Sequence, residues 1–199
     1  MKRADTSSDE VLDFWIDEVG PEGWYEVNDA LDAAIRKRFE QLWHTARRGG
    51  WMDWTPTPRS ALALVIVLDQ FPRNMFRGEA RAFATDQDAV RRAKCAIGKN
   101  WDLRVEGEAR QFFYLPLMHS ESLVDQDSCV RLFAQRMPAA EGNLLHARAH
   151  REVIRRFGRF PYRNAALGRP DTRAERDFLA TEGYGDVVRS LQGEAAAAS

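Results

Sequence analysis

The stretch Ala61-Leu-Ala-Leu-Val-Ile-Val-Leu68 decides how the chain is read. Eight apolar residues in a row, rich in β-branched side chains, suit a buried strand and a buried helix equally well. Context separates the two. Thr57-Pro58 stands just upstream in the order of a helix start, a hydroxyl cap followed by a proline whose missing N–H is not needed there. No second stretch reads as a strand to pair with the run. It is therefore expected to be a central buried helix, and the chain all-α, built of antiparallel helical hairpins.

Working outward, helix signals recur on both sides. Ser7 with Glu10 has the spacing of a capping box, and Val11, Phe14, Trp15 and Val19 then share a face up to Gly20-Pro21. Asn28 precedes Leu31, Ile35, Phe39, Leu42 and Ala46 at helical spacing. Pro72 is expected to end the apolar helix, because a proline lacks the amide that a helix interior uses. Thr85 with Asp88 reads as the cap of a helix closed by Gly98, and Glu108 to Leu115 as an aromatic-rich helix broken at Pro116. Ser122 with Asp125, Asn143 to Phe157 closed by Gly158, and Thr172 with Glu175 supply three more. The expected core includes Phe39, Leu62, Val65, Ile66, Phe112, Phe133 and Phe157. The organisation expected is a single domain over 7–185 and a short C-terminal tail over 186–199, Ala-rich and frayed from Glu194 to Ser199.

Composition narrows the class. A chain of 199 residues, 44% hydrophobic and 30% charged, can bury a core without disulfides or metal. A net charge of −1 lacks the basic excess that a phosphate backbone demands, so nucleic acid is not expected as a partner. The apolar run is far too short to span a bilayer, and the first ten residues lack the apolar core of a signal peptide, so no membrane partner is expected. Cys95 and Cys129 have no metal or CxxC spacing and read as reduced, buried thiols of a cytoplasmic protein.

One internal echo carries candidate chemistry. Phe71-Pro-Arg-Asn74 leads to Gly78 and then Thr85, and Phe160-Pro-Tyr-Arg-Asn164 leads to Gly168 and then Thr172. This reads as a helix–loop–helix unit used twice, with Arg73, Asn74, Arg163 and Asn164 alike in position. Two guanidinium forks with neighbouring amides suit a carboxylate or phosphate. The same side chains also suit orphaned carbonyls at a helix end. His119-Ser-Glu121 lies at a corner after Pro116, where His119 and Glu121 can act as base and orienter or simply cap the corner. Asp69-Gln70 ends the apolar helix and must be paired or wet. His146 and His150 share a helix face at i and i+4, but no metal-ligand motif surrounds them, and neither metal nor cofactor is implied. Trp24, Tyr25, Trp51 and Trp54 read as lids over the core, and Arg36-Lys-Arg38 and Arg155-Arg156 as solvated faces.

The chain also resembles the bacterial family called domain of unknown function 924. The resemblance rests on Val11-Leu-Asp-Phe-Trp15, Leu68-Asp-Gln-Phe-Pro-Arg-Asn74, Arg81-Ala-Phe-Ala-Thr-Asp86, Tyr114-Leu-Pro-Leu-Met-His-Ser-Glu121, His150-Arg151 and Arg156-Phe-Gly-Arg-Phe-Pro-Tyr-Arg-Asn164. It implies a tetratricopeptide-like all-α fold and no established activity. Tyr162 departs from it, standing where His is expected in many relatives.

The function expected from these residues is recognition of an anionic small molecule or a peptide group in a polar cleft lined by Asp69, Arg73, Asn74, His119, Glu121, Arg163 and Asn164. A hydrolase or lyase using the His119 and Glu121 site, and a structural or assembly module, are the alternatives.

Overall fold

The computed structural model of the protein describes residues 7–50, 54 and 56–197. It is all-α, and no strand occurs among the described residues. Nor is any helix there long and apolar enough to cross a membrane. The chain divides into two compact units, Met1–Pro116 and Leu117–Ser199.

The first unit is built around the decisive stretch. Helix α1 (Ser8–Leu12) is capped by the Ser7 hydroxyl, which accepts from the Glu10 amide, and it widens into a π-helical turn over Asp13–Val19. A single turn, α2 (Gly20–Gly23), follows. Helix α3 (Asp29–Arg47) starts at Asn28, whose side chain accepts from the Leu31 amide. Helix α4 (Pro58–Met75) has a complete capping box between Thr57 and Ser60. It packs against α1, α3 and α5 (Asp86–Gly98), so its run from Leu62 to Leu68 is buried on all sides. Phe39 and Phe71 stack with centroids 4.7 Å apart, and Phe14 lies 5.1 Å from Phe39. Burying such rings contributes the largest share of stabilisation per residue.

Several expectations fail in this unit. Pro72 does not end the helix; α4 continues to Met75. The carbonyl its missing amide would leave unpaired is that of Leu68, and the Thr85 hydroxyl donates to it at 2.6 Å. Thr85 is fully buried and also accepts from the Trp43 indole at 3.1 Å, so its side chain does not cap α5. Glu108 to Leu115 is not an α-helix. It is a 3₁₀ run over Gly107–Phe113, followed by the short α6 (Leu115–Met118) that contains Pro116. Cys95 is exposed; of the two thiols only Cys129 is buried. Of the lid tryptophans, Trp24 is buried and donates to the Trp15 carbonyl at 2.7 Å, Tyr25 is exposed, and Trp51 lies outside the described residues.

The second unit packs α7 (Leu123–Arg136) and α10 (Gly183–Ala197) against α8 (Glu141–Phe157). Ser122 stands at the α7 cap position without a side-chain cap bond. Gly158 ends α8 at φ 69, in the left-handed region that glycine enters without strain. Helix α9 (Arg173–Thr181) has the expected capping box between Thr172 and Glu175. The core joins Ala149, Val153 and Ile154 to Phe160, Phe178 and Val187, while Phe157 is only partly buried. The region from 186 is not a tail at its start. It continues α10, and Val187 is 3% exposed.

Candidate functional site

The residues singled out in the first unit are tied to one another. Arg73 donates from both terminal nitrogens to the Asp86 carboxylate, at 2.9 and 3.1 Å, and to the Asp69 carbonyl at 2.7 Å. Asp69 is fully buried, 3.4 Å from Arg73, and accepts from the Gln70 amide. Asn74 donates to Asp32 at 2.9 Å, and Arg77 holds the same carboxylate. A bidentate Arg–carboxylate pair is the geometry a ligand would otherwise occupy. Asp69, Arg73 and Asn74 thus hold the end of α4 to α5 and α3, and the ligand-gripping role expected of them is not what their contacts serve.

In the second unit the structure brings His119, Glu121, Arg163 and Asn164 into one neighbourhood. The corner between α6 and α7 is held by Gln126, whose amide donates to the Met118 and Ser120 carbonyls at 2.7 Å each. The Ser120 hydroxyl donates to Asp125 at 2.8 Å. Glu121 accepts the Phe160 amide at 2.8 Å and both terminal nitrogens of Arg169 at 2.7 and 2.9 Å. Burial alone would raise its pKa, but the bonds from Arg169 and the Phe160 amide, with the charges of Arg169 and Arg163, bring it below the usual carboxylate value. Asn164 donates to Asp171 at 2.6 Å and accepts from Arg169 at 2.8 Å. Glu121 and Asn164 therefore brace the loop after α8 and leave its remaining side chains in fixed positions.

Those side chains are Phe160, Tyr162 and Arg163. Arg163 is 6% exposed, with its guanidinium 4.4 Å over the Phe160 ring. Phe160 also meets the His150 ring edge-on at 5.5 Å, and His119 lies 6.3 Å from His150. Sequence reasoning set the His146 and His150 pair aside. Both belong to this cluster, together with Tyr184 of α10. His150 Nδ1 lies 2.9 Å from the His146 carbonyl and 2.9 Å from the Tyr184 hydroxyl. A carbonyl only accepts, so the proton sits on Nδ1 and Nε2 carries a bare lone pair. Nε2 makes no hydrogen bond among the described residues. The Tyr184 hydroxyl donates to His146 Nδ1 at 2.7 Å.

The charge states follow. Burial, with help from His119 and Arg163, pulls His150 down to about 3, so it is neutral at physiological pH. Burial pushes the Tyr184 phenol up, which keeps it a donor. His146 is exposed overall, but the face stacked on Tyr184 is sheltered, and that lowers its pKa. Both Nδ1 atoms are engaged with Tyr184, and no group of three or more His, Cys, Asp or Glu among the described residues is placed to hold a metal ion. Tyr162, 41% exposed, forms the outer wall, stacked 5.3 Å from Phe160 and edge-on 6.2 Å from Tyr184. The i,i+4 histidines were a sequence signal for this cluster. Tyr184, 34 residues from His150, had none.

The family described as bacterial protein of unknown function (DUF924) matches residues 11–183. The chain belongs to the DUF924 family. A solved structure of a protein of unknown function from Agrobacterium tumefaciens is similar to it, with 39% sequence identity, a TM-score of 0.79, and coverage of 86% of this chain and 96% of that one. No curated protein matches. The DUF924 match includes His119, His146, His150, Tyr162 and Arg163 and ends one residue before Tyr184, so the hydroxyl that orients both histidines comes from just beyond it.

Proposed function

We propose that the second unit recognises a small anionic molecule at the His119, His150 and Arg163 cluster, with Tyr162 and Tyr184 as its walls. The observation that carries this is His150: a neutral imidazole with Nδ1 fixed by two partners and Nε2 left as an acceptor beside a buried guanidinium. Such a site suits a ligand that pairs a negative group with an adjacent O–H or N–H. The guanidinium side supplies positive potential, and Nε2 accepts the proton donor. Glu121, Arg169 and Asn164 support the loop and do not touch the ligand.

The enzymatic reading has one specific support, the His146 carbonyl that fixes the His150 tautomer, with the Tyr184 hydroxyl beside it, since a general base is oriented in this way. Its weakness is chemical. A base works best with a pKa near the operating pH, and His150 lies at about 3. Recognition is therefore the better-supported function.

The test is a titration of the full chain with inorganic phosphate and with lactate, read on the imidazole proton resonances by NMR. Lactate carries both the negative group and the adjacent hydroxyl. The expected result is a saturable shift of the His150 and His119 signals, lost in Arg163→Met and weakened in His150→Phe. Signals that stay unmoved at millimolar concentrations of both probes would sink the proposal.

A further inference from the structure

A second site is built into the first unit, between α4 and α5. Helix α5 ends at Gly98 in a turn in which Asn100 takes φ 55. The Asn100 amide donates to the Ile97 carbonyl at 2.9 Å, and the Trp101 amide to Ala96 at 3.0 Å. This is the pairing of a Schellman closure, which brings the residue after the left-handed position back against the last turn of the helix. Trp101 is thereby set beside Ala96 at the mouth of a cleft of about 180 Å³. Leu64 lies in its α4 wall, Trp54 lines it on the approach to α4, and Arg92, Cys95 and Lys99 line it from the α5 side.

The chemistry of the lining is one-sided. It has two indoles, aliphatic walls and two cations, and no carboxylate among the described residues. The Lys99 ammonium lies 4.5 Å over the Trp101 ring and makes no ion pair among the described residues. The carbonyl end of α5 would repel an anion, so the Lys99 ammonium, just past that end, sets the sign of the site. The volume exceeds the ~30 Å³ share of one water several-fold and is below the ~300 Å³ at which drug-sized sites begin. It admits one flat ring system, single or fused, with a short arm.

We propose that this cleft binds a small aromatic carboxylate, its ring between Trp54 and Trp101 and its carboxylate toward Lys99 and Arg92. An indole face stacks on any flat ring, and the Lys99 ammonium beside Trp101 is within the reach of its flexible stem of an acid arm on a ring held there. The site is independent of the histidine cluster.

Cys95 gives the experiment its readout, because its exposed thiol lies in the cleft while Cys129 is buried and its thiol is pushed up by burial. The rate of Cys95 alkylation by iodoacetamide is measured in the full chain with benzoate, indole-3-carboxylate, or the neutral analogues benzyl alcohol and indole. The carboxylates should slow alkylation saturably and bind about tenfold tighter than the neutral rings, the factor that one charge-assisted hydrogen bond contributes. Lys99→Met should erase that preference. Ala61→Trp, which places an indole in the cleft, should abolish ligand protection with far-UV circular dichroism unchanged. Equal protection by neutral and acidic rings, no protection at all, or protection that survives in Ala61→Trp would each overturn the proposal.

Discussion

Phe71-Pro-Arg-Asn74 and Phe160-Pro-Tyr-Arg-Asn164 spell nearly the same words and build different things. In the first, the proline lies inside α4 and the helix runs on for three more residues to Met75. In the second, Gly158 has already ended α8, Phe160 is extended at φ −90 and ψ 107, and Pro161 opens a 3₁₀ turn. Some local features are common to both. Each Asn amide donates to an aspartate, Asp32 or Asp171, and Gly78 and Gly168 take φ of 76 and 63. What differs is whether a distant group serves the carbonyl that proline strips of its donor. Thr85 does so for Leu68. The lesson is that proline is a conditional stop, and its condition lies in tertiary structure.

The comparison can be broken most severely at Thr85. Thr85→Val keeps the shape but leaves the Leu68 carbonyl and the Trp43 indole N–H without partners in a buried site. Each such orphan costs ~1–3 kcal/mol, so urea denaturation should show a loss of about 2–4 kcal/mol. A loss under ~0.5 kcal/mol would mean the hydroxyl is not what carries α4 through Pro72.

A rescue sharpens the point. Pro72→Ala returns an amide at the place from which Leu68 is normally served, so the double variant with Thr85→Val should regain about 1–2 kcal/mol, the part due to the carbonyl. Pro161→Ala offers no such rescue, because no helix carbonyl awaits it. Equal gains from both prolines in the Thr85→Val background would refute the asymmetry.

The second copy uses its threonine locally. Thr172 accepts from the Glu175 amide at 3.2 Å in a capping box, so Thr172→Val should cost ~1 kcal/mol, the usual value of a lost cap. If denaturation ranks Thr172→Val above Thr85→Val, the two threonines have been assigned the wrong way round.

The smallest effect is a pH dependence from the second segment's neighbour, His150. Its pKa is about 3 in the folded chain against 6.5 in the open one, so between those values the unfolded state takes up a proton that the folded state refuses. Stability is then complete above pH 6.5 and falls as pH falls toward 3. The depressed carboxylates, Glu121 and, at about 2, Glu152 and Glu175, act lower, losing their contribution only as pH drops below 4.5. A melt series from pH 7 to 6 should therefore isolate the histidines, His146 adding in the same sense, with a fall of roughly 2 °C, from ~0.7 kcal/mol at the ~2–4 °C per kcal/mol typical of this size. His150→Gln should flatten it; an unchanged slope would place the acid sensitivity elsewhere.

Local signals were legible in the sequence at several helix ends where the partner lies within one helical turn, although Ser122 and Thr85 make no cap bond of that kind. Asn28, Thr57, Thr172 and Gly158 cap helices as read. The buried character of α4 was legible too, since a run apolar on every face has nowhere else to go. The errors came from partners far along the chain. Pro72 was read as a stop because Thr85 is thirteen residues away. Arg73 was read as a ligand grip because Asp86 is equally distant. Residues 186–199 were read as a tail from their Ala-rich end; α10 runs from Gly183 through Ala197, and Val187 lies in the core with Val153 and Ile154 of α8. Of the candidate site, His119 and Arg163 were legible, but the histidines of α8 gained meaning only when Tyr184 came back beside them.

The Thr85 hydroxyl at Leu68 also sets an order on how the sequence can drift. A lineage that loses Pro72 first passes through an intermediate in which the carbonyl has two donors, and a later loss of Thr85 then orphans only the Trp43 indole. A lineage that loses Thr85 first passes through one with a broken helix and an orphaned indole. The two residues can leave together by one route and not by the other, so descendants without the proline should include some without the threonine, and descendants that keep the proline should keep a hydroxyl.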